Sequence, residues 1–89
     1  MTELEIMKAA IKCFGEEYQE NLAMEECSEL IQAINHKHRG RKHNIAEEIA
    51  DVEIVIEELK IINNCYAEVE EIRKSKIERL YNRVFDMCL

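Results

Sequence analysis

Hydrophobic positions recur at helical spacing along almost the whole chain. Leu4, Met7, Ile11 and Phe14 form one stripe. Thr2 stands before it with Glu5 three residues on, a capping-box signature, so a first helix opens at Thr2 and stops at Gly15. A second apolar series predicts a helix from about Glu17 to about His38, stopped by Arg39-Gly40. A third begins after Asn44, again with a glutamate three positions on at Glu47, and runs to about Ile62 before the Asn63-Asn64 break. The last spans roughly Tyr66 to Phe85. Short connections between four helices imply antiparallel neighbours. The expected fold is a single all-α domain over residues 1–89, an antiparallel four-helix-bundle-like unit.

Composition agrees with this reading. The 89 residues are 47% hydrophobic and 35% charged, with no proline and two glycines, which argues against disorder and against a turn-dense β fold. A chain this short buries only about 60–65% of its unfolded surface on its own, so completion by dimerisation or tetramerisation is expected. Ala50, Ile54 and Ile61 add a second apolar side to the third helix, which a partner would cover. There is no apolar run of 18 residues, and MTELEIMK lacks the features of a signal peptide, so the expected location is cytoplasmic. The net charge of −7 disfavours broad binding to nucleic acid or an anionic membrane. Cys13, Cys27, Cys65 and Cys88 show no C-x-x-C spacing and read as reduced, buried thiols.

The acidic residues change the picture. At about 100° per residue, Leu22, Ala23, Met24, Cys27, Leu30, Ile31, Ala33 and Ile34 share an arc of about 200°; Glu26 lies inside it, Glu29 just outside its edge, and Glu25 toward the polar side. The third helix repeats the arrangement, with Glu48 between Val55 and Leu59 and Asp51 at the margin of the stripe. Two consecutive helices thus each place one carboxylate in the apolar face and a second, three residues away, at its border. Four such groups converging would repel one another unless a cation sat among them. Oxygen-only ligands select Mg²⁺, Mn²⁺ or Ca²⁺ over zinc, and Mg²⁺ commonly binds a few carboxylates together with substrate phosphates. Di-iron bundle sites instead need Glu-x-x-His on two helices, where this chain has Glu29 and Asp51. The competing reading is a non-catalytic helical oligomerisation or regulatory module whose acids form interhelical ion pairs.

EECSE (Glu25 to Glu29) followed by EIAD (Glu48 to Asp51) resembles the E-E-x-x-E … E-x-x-D signature of MazG-like all-α nucleoside triphosphate pyrophosphohydrolases. The likeness extends from about Gly15 to Val84, through EECSELIQAI and DVEIVIEELK. The resemblance implies a homodimer or homotetramer that holds Mg²⁺, with Mn²⁺ as a substitute, through Glu26, Glu29, Glu48 and Asp51. It implies hydrolysis of a nucleoside triphosphate, ribo or deoxy, to the monophosphate and pyrophosphate, with Glu25 or Glu29 orienting or deprotonating the attacking water. The related phosphoribosyl-ATP pyrophosphohydrolases carry a glycine directly before the glutamate pair, where this chain has Ala23-Met24.

A triphosphate also needs cations. Lys76 and Arg83 project from the apolar side of the last helix, Arg73 shares that side and Arg79 lies at its edge. KIERL (Lys76 to Leu80) resembles the Lys-x-x-Arg-Leu-type segment near the end of family members, which makes Lys76, Arg79 and Arg83 the phosphate-binding candidates; the competing role is ordinary snorkelling or ion pairing. HKHRGRKH (His36 to His43) reads as a solvated turn, or as a flap over phosphates flexing at Gly40. Gln19 stands where relatives often have a polar residue, and Tyr18 or Phe14 offers a ring to a base. The chain has no tryptophan, which some relatives use against the base, so base preference stays open.

Overall fold

Local capping sets the helix ends. In a computed structural model, which describes residues 1–88, Thr2 Oγ1 accepts the Glu5 N–H at 3.1 Å and donates to the Glu5 carboxylate at 3.2 Å, opening α1 (Glu3–Phe14). Gly15 links α1 to α2 (Glu16–His38) with no intervening loop: its N–H reaches Ile11 C=O and its C=O receives Gln19 N–H. Its φ of 96° is a conformation that a side chain would strain. α2 ends in a Schellman motif with Gly40 at φ 68°, Gly40 N–H reaching Lys37 C=O and Arg41 N–H reaching His36 C=O. α3 (Ile45–Ile62) ends in the same way, with Asn64 at φ 48° and Cys65 N–H bonded to Lys60 C=O. α4 (Tyr66–Cys88) runs three residues beyond the expected Phe85.

The architecture is all-α with four helices, as the periodicity predicts. α2 and α3 form the main seam and are antiparallel, since Gln19 meets Glu58 toward one end while Glu29 meets Glu48 toward the other. α1 packs on both, whereas α4 touches α3 alone. The apolar residues buried within one chain are small: Ala23, Ala33 and Val55. The broad α2 stripe expected from the sequence is only partly covered, because the seam uses its Gln19–Ala23–Glu26–Ala33 edge. Met24 and Ile31 therefore stay 65% and 67% exposed, and no α4 residue is buried.

The four helices consequently form an open arrangement. A folded 10.5 kDa monomer ordinarily exposes about 5,400 Å² and has a radius of gyration of about 12 Å, whereas this chain exposes 7442 Å² with a radius of 16.3 Å. The cysteines are free but not buried: Cys13 and Cys88 are exposed, and Cys27 and Cys65 are half-buried. They lie on helix faces that the fold of one chain leaves wholly or partly uncovered. Among the described residues, no helix is long and apolar enough to cross a membrane.

Candidate metal centre

The antiparallel seam brings the two acid pairs opposite each other. One carboxylate oxygen each from Glu26, Glu29 and Glu48 lie within 4.8 Å of one another, and Asp51 adds its charge to that of the cluster, acting on both Glu26 and Glu29. Ala23 and Ala33 flank this stretch of α2, and Val55 lies two turns beyond Glu48 on α3; small side chains allow the backbones close enough for short acidic side chains to converge. Glu48 is 7% exposed, Glu26 and Asp51 are half-buried, and Glu29 sits exposed at the mouth.

The electrostatics are those of mutual repulsion. Burial, followed by the charges of Glu29, Asp51 and Glu48, raises the Glu26 carboxyl above its ordinary range. Burial, followed by Glu48, raises Glu29, with smaller contributions from Glu25 and Asp51. No cation offsets this: among the described residues the ion pair found is Lys60 with Glu57 at 2.9 Å, away from the cluster. Glu26 Oε2 and Glu48 Oε2 are buried without a hydrogen-bond partner. A buried carboxylate oxygen with no donor is costly. An all-oxygen set with two such orphaned atoms fits a hard divalent cation.

The other candidates lie apart from the cluster. Glu25 is exposed and lines a shallow cleft with Tyr18, Asn21 and Leu22; its link to the cluster is its charge on Glu29. Tyr18 is 57% exposed and leans on Phe14, ring centroids 5.6 Å apart. Gln19 is buried in the same seam, about 10 Å along the α2 axis from Glu26. Its Nε2 donates to Glu58 at 2.7 Å, and its Oε1 is buried without a partner. Lys76 lines an apolar groove on α4 with Val69, Ile72 and Leu80, while Arg79 and Arg83 are exposed on the same helix. None of the three pairs with a cluster acid. The basic loop is exposed from His38 to His43 and sits about one turn before Glu48.

Glu58, only 4% exposed, is the buried acid that the sequence reading missed. The spacing Glu48, Asp51, Val55, Glu58 continues the i, i+3, i+7, i+10 stripe, so the signal was present for a reader who extended the motif two turns. No family model, curated protein or solved structure matches the chain.

Proposed function

We propose that the protein is a Mg²⁺-dependent nucleoside triphosphate pyrophosphohydrolase of the MazG-like kind. The observation that carries this reading is the uncompensated convergence of Glu26, Glu29 and Glu48, joined by Asp51, with two buried carboxylate oxygens lacking any donor. Glu26, Glu48 and Asp51 would hold the metal from inside the seam and Glu29 from its mouth. When bound, the ion supplies charge neutralisation at the phosphates and acidifies a water. Glu29 is the better placed of the two base candidates, since it belongs to the cluster and faces solvent at its mouth. Glu25 supports it by charge from the outer face. The rival oligomerisation module needs ion pairs at these acids; within one chain, among the described residues, none forms. Incubation with Mg²⁺ and each of the eight common nucleoside triphosphates is expected to release pyrophosphate and a monophosphate from at least one. Orthophosphate instead, or no release, contradicts the assignment.

The working unit is proposed to be at least a dimer. The chain exposes about 2,000 Å² more than a monomer of its size should, well beyond the roughly 800 Å² that each partner gives to a standard interface. Two uncovered apolar tracts supply the surface: Met24, Cys27, Ile31 and Leu59 along α2–α3, and Val69, Ile72 and Leu80 along α4. α4 also carries Lys76, Arg79 and Arg83, whereas the acid cluster has no cation of its own chain beside it. Those three residues are therefore assigned to phosphates in the site of another copy. Light scattering at micromolar concentration should give at least twice 10.5 kDa, and Ile72→Asp with Leu80→Asp should lower that mass. A wild-type monomer contradicts the assignment.

A further inference from the structure

Asn44 stands where the sequence places an N-cap, yet its side chain does not cap α3. A capping asparagine takes extended backbone and accepts an N–H of the first turn through its side-chain oxygen. Asn44 instead has φ −127° and ψ 45°, and its Nδ2 donates to Glu48 Oε1 at 2.8 Å, with a longer 3.4 Å approach to Glu47 Oε2. Its backbone C=O accepts the Glu48 N–H at 3.0 Å, so one residue grips Glu48 at both backbone and carboxylate. The nearby Ile45 N–H reaches only the His43 Nδ1, at 3.5 Å. The amide thus occupies one oxygen of a carboxylate that is 7% exposed, while the other, Oε2, is buried without a partner.

We infer that Asn44 is a positioning residue for Glu48: its amide fixes which carboxylate oxygen faces the metal centre, at the expense of the cap it would otherwise provide. The inference rests on the metal reading above and adds to it a group outside the acidic signature. Outer hydrogen bonds of this kind orient metal ligands, and their loss commonly weakens binding tenfold to a hundredfold.

Asn44→Ser separates the two roles, because serine caps as well as asparagine but is too short to offer an amide to Glu48. The expected result is Mn²⁺ affinity at least about tenfold weaker than wild type by calorimetry. Wild-type affinity in that variant overturns the inference. A double-mutant cycle on metal-free protein tests the contact without any metal: Asn44→Ser should lower the melting temperature in the wild-type background and not in a Glu48→Leu background. Equal shifts in the two backgrounds mark a plain cap and overturn the inference. If wild type binds no Mn²⁺ while the cycle is non-additive, the metal reading fails and Asn44 still stands as the group that fixes Glu48.

Discussion

Replacing Glu48 with glutamine is expected to abolish divalent-metal binding and to lower pyrophosphate release at least about a hundredfold, while raising the melting temperature of the metal-free protein. The opposite signs follow from one cause. Glu48 contributes an oxygen to the convergent set and charge to both Glu26 and Glu29, so neutralising it weakens the site for a cation and relieves the acids that remain. An ordinary stabilising ion pair behaves the other way, losing stability on neutralisation. The pH dependence carries the same signature. Glu26 and Glu29 lie above the ordinary carboxylate range in the folded chain, so between their unfolded and folded values the native state binds more protons than the unfolded state. Their contribution to metal-free stability is then greatest below the ordinary carboxylate range and falls as pH rises toward neutrality. Thermal melts across pH should show that decline in wild type, a shallower one in Glu48→Gln, and its loss in wild type with saturating Mg²⁺. A lower metal-free melting temperature in Glu48→Gln would mean that Glu48 is held by a favourable partner and does not repel Glu26 and Glu29.

Gln19→Ala is expected to be the most destabilising single change in the seam, costing about 3 kcal/mol, or roughly 12–24 °C in melting temperature for a domain of this size. Gln19 and Glu58 are each 4% exposed, and Gln19 Nε2 is the donor seen on the Glu58 carboxyl. Truncating the glutamine leaves an acid in the interior facing a void. Replacing both residues with leucine removes donor and acceptor together, and stability should return to within a few degrees of wild type or exceed it. Melts at one fixed protein concentration check this, since a self-associating chain melts higher at higher concentration. A single variant as stable as wild type would show that Glu58 finds water or another donor.

Periodicity and turn chemistry made the helices and their ends legible: Thr2, Gly15, Gly40 and the Asn63-Asn64 pair each mark an end that local geometry enforces. The acid pairs were legible for a related reason, since a three-residue spacing places both members on one helix face whatever the tertiary contacts. Which part of a wide apolar arc becomes the seam was not legible. Hydrophobicity ranks Met24 and Ile31 above Ala23 and Gln19, but close helix approach selects small residues, and the larger ones are left for a different surface. Gln19 and Glu58 were opaque as a pair because they are 39 positions apart, and a buried hydrogen bond across helices has no local pattern. An asparagine before a helix most often caps it, whereas at Asn44 the nearby Glu48 carboxylate competes for the amide.

Calorimetric titration of metal-free, folded wild-type protein with Mn²⁺ at neutral pH tests most directly whether the seam of α2 and α3 is a cation site. Saturable binding, with a matching rise in melting temperature, is the predicted outcome. No heat and an unchanged melt in protein shown to be folded would mean that Glu26, Glu29 and Glu48 tolerate one another without an ion, and the site would not be a metal centre.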